Sequence, residues 1–268
     1  MLIEAHFEAG HNCRLCGGTV LEQFQLDILK KHRCSYYKCA ACNSLQTQAP
    51  HWLDEAYESS LSRYDTGAAQ RNLMNLAVSF LVARLLSLRH VIDYGGGDGL
   101  LCRLLRDYGI NCYTEDKYAS PIYALAFTKP DFSQPDMVLA FEVVEHFVNP
   151  ATDLDALFGH RPAVLLISTC PYSDETKNWW YLAPESGQHV FFYSVKALGR
   201  IAERYGYTLI NRNTYFLFVR NRAVPKWKMG LMRAALRGRV IRFVKVLLSL
   251  MSAQGFLADF DELRKRAR

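Results

Sequence analysis

The sequence predicts an α/β protein: an open, doubly wound sheet, preceded by a small module of paired thiols and followed by a helical tail. Three observations carry this expectation. Short apolar runs alternate with helix-like segments from residue 90 to residue 220. The first run ends in three consecutive glycines, "VIDYGGGDGLL" over residues 91–101, and a strand that enters a glycine turn and leaves as a helix opens such a sheet. Two C-x-x-C pairs, Cys13/Cys16 and Cys39/Cys42, stand near the N-terminus.

The thiol module occupies residues 1–50. "NCRLCGG" and "KCAACNS" are two turns, with "LEQFQLDI" and "HRCSYY" as short strands between them. The spacing is C-x2-C-x22-C-x2-C, and tetrahedral Zn2+ takes four thiolates in this kind of arrangement. A disulfide or redox pair is the competing reading; two matched C-x-x-C units speak against it. Four thiolates leave no open coordination position. The expected zinc at Cys13, Cys16, Cys39 and Cys42 is therefore structural, and it supplies folding free energy to a module with little core. Cys34 is a substitute ligand, whereas Cys102, Cys112 and Cys170 read as small core residues.

Residues 51–220 form the main domain. The stretch 51–90 is helical, with "NLMNLAVSFLVARLLSL" as a buried helix. Strands follow at "HVIDYG", "INCYTED", "DMVLAFEV" and "AVLLIST". Helices are expected at "GLLCRLLRDYG" and at "ASPIYALAF", the latter begun by Ser120-Pro121. After the long loop "CPYSDETKNWWYLAPESGQH", "VKALGRIAERYGY" is an amphipathic helix capped by Ser194, and "TLINRNTYFLFVRN" is a hairpin-like pair of strands.

Residues 221–268 form the tail. Val240, Phe243, Val244, Leu247, Leu248 and Met251 fall on one helical face, and Arg239, Arg242 and Lys245 on the other. The formal net charge is +6, but residues 222–268 hold twelve Lys or Arg and three acids, so the basicity belongs to the tail. Peripheral contact with an anionic membrane surface is one expectation for it; capping of the sheet or dimerisation is the other. Nucleic acid is not expected, because aromatics are not interleaved with these basic residues. No uncharged apolar run reaches 18 residues, so no membrane-spanning helix is expected. The first twenty residues carry Glu4, His6 and Glu8 and lack a signal-peptide pattern. The expected location is the cytoplasm, with the inner face of the membrane as an alternative.

Gly95, Gly96 and Gly97 let the backbone lie against a ligand. A dinucleotide site would show G-x-G-x-x-G, yet no glycine falls three residues after Gly97, and Asp93 and Asp98 would repel a pyrophosphate. The acids suit a cationic ligand with free hydroxyls. The run D-x-G-G-G-D-G resembles motif I of class I S-adenosylmethionine-dependent methyltransferases, which carry a Rossmann-like sheet. That resemblance implies S-adenosylmethionine as cofactor, with Asp93, Gly95, Gly96 and Gly97 around its methionine part, Asp116 on the ribose hydroxyls and Glu142 on the cofactor side. "PDMVLAFEVVEHFVNP" is similar to the fourth-strand motif of the same superfamily. "GQHVFFYS" is similar to the segment after strand five in many small-molecule and sugar methyltransferases. "YKCAACNSLQTQAPHWLDEAY" resembles the join between zinc ribbon and catalytic domain in bacterial members of sugar or surface-polysaccharide pathways.

Glu145, His146 and His189 are the catalytic candidates. In one reading His189 is a general base that removes the acceptor's proton. In another, Glu142, Glu145, His146 and His189 bind Mg2+ or Mn2+, as similarity to small-RNA 2′-O-methyltransferases and ubiquinone-pathway O-methyltransferases implies. In the third they pack locally. The expected activity is O-methylation of a sugar or glycan hydroxyl, in a surface-polysaccharide or secondary-metabolite pathway, with Tyr57, Tyr64, Trp179, Trp180 and Tyr181 around a small-molecule or glycan acceptor. Sugar C-methyltransferases are an alternative, although Ser186 and Gln188 stand where that family has H-E-H. A non-catalytic zinc-knuckle interaction protein with a vestigial cofactor fold is another.

Overall fold

A computed structural model describes residues 12–58 and 65–266 of the chain. Glu4, His6, Glu8 and Tyr64 lie outside the described residues. In chain order the elements are β1 (Val20–Ile28), β2 (His32–Cys39), β3 (Leu45–Thr47), α1 (Leu53–Ala56), α2 (Ala68–Leu86), β4 (His90–Tyr94), α3 (Leu100–Asp107), β5 (Asn111–Glu115), β6 (Met137–Phe141), α4 (Pro150–Gly159), β7 (Val164–Ser168), β8 (Phe191–Phe192), α5 (Val195–Tyr205), β9 (Tyr207–Arg212), β10 (Tyr215–Arg220), α6 (Lys226–Ala235), α7 (Gly238–Leu250) and α8 (Gly255–Arg266). They divide into two compact units. The first comprises Met1–Tyr64, Val144–Ala156 and Cys170–Ile201, and the second Asp65–Val143, Leu157–Thr169 and Ala202–Arg268.

The second unit holds a six-stranded sheet of order β5-β4-β6-β7-β10-β9. β4 pairs in parallel with both β5 and β6, and β6 with β7, while β10 runs antiparallel between β7 and β9. β7 is buried along its whole length and β6 along all but its last residue, the continuous apolar reading expected of parallel strands covered on both faces. The chain leaves β4 on one side to form β5 and returns on the other side to form β6. The carboxyl end of β4 is therefore the topological switch point, where a ligand crevice belongs.

The helix expected over "ASPIYALAF" is not formed; β5 connects to β6 through irregular backbone. The amides of Ile122 and Tyr123 both donate to the Asp98 carbonyl, at 2.9 and 3.0 Å, instead of to a helical ladder. Ala124 and Phe127 turn inward while Ile122, Tyr123 and Leu125 face solvent. Tertiary contact with the glycine turn overrides local propensity here. A helix not marked in the sequence, α4, begins at Pro150, a favoured first position, and the Asp153 carboxylate reaches back to the Asn149 amide at 3.0 Å. Ser194 does cap α5, accepting from the Ala197 amide at 3.0 Å.

The tail packs on its own unit. α7 turns Ile241, Val244 and Leu248 into the core shared with α2. Of the apolar face read from the sequence, Val244 and Leu248 are thus buried, whereas Phe243, Leu247 and Met251 are exposed. α8 is fastened by Asp259, which takes two bonds from Arg106 at 2.5 and 2.9 Å and one from Arg103 at 2.6 Å.

The first unit is built on a four-stranded antiparallel sheet of order β1-β2-β3-β8. Its core gathers Ile28, Tyr36, Leu45, Trp52, Tyr181 and Phe192.

Candidate active site

The turn after β4 is shaped by its glycines. Gly95 and Gly97 have φ of +67° and +54°, a region that side chains rarely adopt. A Cβ on Gly95 would sit 2.6 Å from Val143 Cγ2, and one on Gly96 would sit 2.6 Å from Asp93 Oδ2 and closer still to Thr114 Oγ1. At Gly97 the space within 4 Å is open. The turn is thus closed on its inner side and open on the outer. Asp93 is buried, and among the described residues its Oδ2 has no hydrogen-bond partner. Burial, reinforced by the nearby Asp116 charge, pushes its carboxyl up to about 7. A buried acid with an orphaned oxygen beside an open glycine turn fits a cationic ligand group. Asp116 binds the turn itself: Oδ2 accepts from the Gly97 amide at 2.9 Å, and Oδ1 from the Tyr118 and Ala119 amides at 2.8 and 2.7 Å. A carboxylate has about four acceptor sites, so capacity for a hydroxyl remains.

Glu142 follows β6 with φ of +53°, and its Oε1 accepts from Ser168 Oγ at 2.7 Å. Within the first unit, Glu145, His146 and His189 form a group with ligand atoms all within 4.8 Å of one another. The Val144–His146 segment is a single 3-10 turn. Glu145 is fully buried and accepts from the Tyr181 hydroxyl. His146 Nδ1 lies 2.7 Å from the Tyr57 hydroxyl. His189 Nδ1 lies 2.7 Å from the Tyr181 carbonyl. A carbonyl only accepts, so the His189 proton sits on Nδ1 and the lone pair on Nε2. The two imidazoles meet edge to face, ring centres 5.0 Å apart. Of the expected acceptor aromatics, Tyr57 and Tyr181 therefore belong to this cluster. Trp179 packs against Tyr172, Tyr181 and Phe192, and Trp180 is 74% exposed.

A methyltransferase-domain family model matches residues 66–211, more than half of the chain. The chain belongs to this family. It is an S-adenosylmethionine-dependent methyltransferase. Among solved structures, this methyltransferase is similar to the methyltransferase domain of bacterial CtHen1-C, at 19% identity over 56% of this chain and 98% of that one, with a TM-score of 0.43. It is similar also to magnesium protoporphyrin IX methyltransferase from Synechocystis PCC 6803 with bound SAH, at 17% identity over 63% and 93% of the two chains, TM-score 0.46. A third is the 1,6-didemethyltoxoflavin-N1-methyltransferase of Burkholderia thailandensis, at 14% over 73% and 97%, TM-score 0.46. No curated protein sequence matches the chain.

The methyltransferase also brings its four knuckle cysteines together. Cys13 and Cys42 sulfurs lie 3.7 Å apart and Cys16 and Cys39 sulfurs 3.6 Å apart. A disulfide needs about 2.05 Å, whereas the edge of a tetrahedron with Zn–S bonds of about 2.3 Å is about 3.75 Å. The donor set and spacing fit zinc. Cys34 stands outside the group, buried, with its thiol pushed up to about 12 by that burial.

Sequence reasoning missed Arg14, between the first two cysteines. Its guanidinium donates to the carbonyls of Val148 at 3.1 Å, Thr47 at 3.2 Å and Val190 at 2.5 Å, and burial pulls it down to about 10. It thus ties the knuckle to the segments that carry His146 and His189. Nothing in the local pattern C-R-L-C announces this, because its partners are backbone oxygens remote in sequence.

Proposed function

We propose that this methyltransferase methylates a hydroxyl of a sugar or glycan, with His189 taking the acceptor's proton. S-Adenosylmethionine supplies the electrophilic methyl group on its sulfonium. The observation that carries the proposal is the bond from His189 Nδ1 to the Tyr181 carbonyl, which leaves Nε2 as the basic nitrogen, oriented by a fixed partner. The Tyr57 hydroxyl holds the neighbouring His146 ring beside it, and Glu145 accepts from the hydroxyl of the same Tyr181. The acids at 93 and 116 and the glycines at 95–97 are assigned to the cofactor, Asp93 facing positive charge and Asp116 the ribose. The sugar class is supported by the resemblance of "GQHVFFYS" and of the knuckle join to sugar-pathway enzymes, and by exposed Trp180, an aromatic face of the kind that stacks on sugars. Zn2+ on the four cysteines is assigned a structural role, since its coordination sphere is closed.

The grouping of Glu145, His146 and His189 favours a second reading, a divalent cation that grips the acceptor oxygen. Two imidazoles suit Mg2+ poorly, so Mn2+ is the better of the two expected ions. Chelation followed by Mn2+ restoration separates the readings: activity indifferent to chelation removes the cation and leaves the base. Mass spectrometry of surface polysaccharide from a deletion strain tests the substrate class. A methyl group missing from a sugar oxygen supports it, and an unchanged glycan overturns it.

A further inference from the structure

Among the described residues, ten of the eighteen large apolar side chains that stand exposed lie in the tail. Their arrangement is regular. α7 buries Ile241, Val244 and Leu248, and its opposite side shows Phe243, Val246 and Leu250, spaced three and four residues apart. Phe243 is 67% and Leu250 79% exposed. α6 presents Trp227 and Leu231, and α8 presents Phe256, Leu257 and Phe260. Basic residues run with these rows: Lys226 and Arg233 on α6, Arg239 and Arg242 on α7, Arg264 and Lys265 on α8, all exposed. Among the described residues none of them pairs with a carboxylate. The acids of the tail include Asp259, which is buried against Arg103 and Arg106.

We infer that the tail is a docking surface for an anionic phospholipid bilayer, lying on the membrane with Phe243, Val246 and Leu250 in the acyl boundary and the flanking arginines at the lipid phosphates. Charge complementarity selects this occupant. Residues 222–268 carry a net charge of +9 and the rest of the chain −3, so apolar exposure and positive charge coincide on one segment, the pattern of an interfacial helix. A second copy of the chain would set +9 against +9. Nucleic acid would meet the charges but leave Val246, Leu247 and Leu250 in water. Insertion across the bilayer does not fit either: no single described helix is long and apolar enough, and α7 and α8, apolar enough only as a pair, are bent by 65° with α7's inner row packed on α2. The inference is independent of the methyl-transfer reading and needs no activity measurement.

The full-length protein is mixed with vesicles of pure phosphatidylcholine or of phosphatidylcholine with one-third phosphatidylglycerol, and sedimented. Binding is expected to the anionic vesicles only, weakening by about fivefold for each charge removed in an Arg239→Gln, Arg242→Gln series. A Phe243→Ser, Leu250→Ser double variant is expected to bind at least about tenfold more weakly with an unchanged melting temperature, because neither side chain belongs to the core. Absence of anionic-vesicle binding at low salt overturns the inference, as does binding that both variant series leave intact. A dimer or a nucleic-acid complex that the Phe243/Leu250 variant abolishes, with vesicle binding unaltered, assigns the surface to another occupant and overturns it too.

Discussion

Replacing Asp93 by asparagine tests the cofactor cradle before any substrate is known. The wild-type carboxyl holds its proton to about pH 7 when folded, against an ordinary value of 3.8. Between those values the folded state binds more protons than the unfolded one, so unfolding free energy falls as pH rises. The loss is about 1.4 kcal/mol per pH unit, or about 2.5 kcal/mol between pH 5 and pH 8 once the ends of the titration are included. Asparagine cannot ionise, so this slope vanishes in the variant. A buried amide N–H without an acceptor costs about 1–3 kcal/mol, but that cost is independent of pH. Urea unfolding of ligand-free wild type and Asp93→Asn at several pH values therefore isolates the effect: the variant gains about 2.5 kcal/mol relative to wild type from pH 5 to pH 8. A cationic ligand reverses the balance by favouring the charged carboxylate. At pH 6, S-adenosylmethionine, whose sulfonium carries the positive charge, is expected to release protons from wild type, seen by calorimetry in two buffers of different ionisation enthalpy, and not from the variant. Parallel stability profiles together with identical proton release would refute the reasoning.

Gly96→Ala puts a methyl group 2.6 Å from Asp93 Oδ2; S-adenosylhomocysteine affinity is expected to fall about 100-fold or more, and an unchanged Kd by calorimetry removes the turn as the site. His189→Ala is expected to lower kcat about 10²–10⁴-fold while cofactor Kd stays within about twofold, and full activity in steady-state assays rules out the proton-acceptor role. Cys39→Ser should abolish a single bound zinc measured by plasma emission and lower the melting temperature; a metal-free wild type that melts unchanged contradicts the knuckle. Arg14→Met, which strips donors from three carbonyls, is expected to cost about 2–4 kcal/mol in urea unfolding, partly recovered by lysine, and a cost below about 0.5 kcal/mol would show the guanidinium to be idle.

The alternation of buried runs with glycine-terminated helices was legible, because parallel strands leave continuous apolar segments and the β4 turn admits only glycine. The four thiols were legible as a group because their spacing is local at each knuckle. The segment after β5 was not. Its composition is helical, and only the Asp98 carbonyl, presented by a turn more than twenty residues earlier, diverts its amides. The side of α7 that packs was not legible either. Its sequence is apolar on two sides, and periodicity alone does not say which side meets α2. Glu142 shares a motif with Glu145 and His146, but nothing in that motif announces the left-handed backbone at Glu142 or the bond its carboxylate takes from Ser168.

The last strand of the knuckle sheet, β8, begins two residues after His189 and pairs with β3, Leu45 opposite Phe192 and Gln46 opposite Phe191. Leu45 in turn opposes Lys38, next to Cys39. The thiol knuckle and the segment that carries His189 are therefore rungs of one ladder, so a change of backbone at Cys39 has a continuous hydrogen-bonded route to the start of β8.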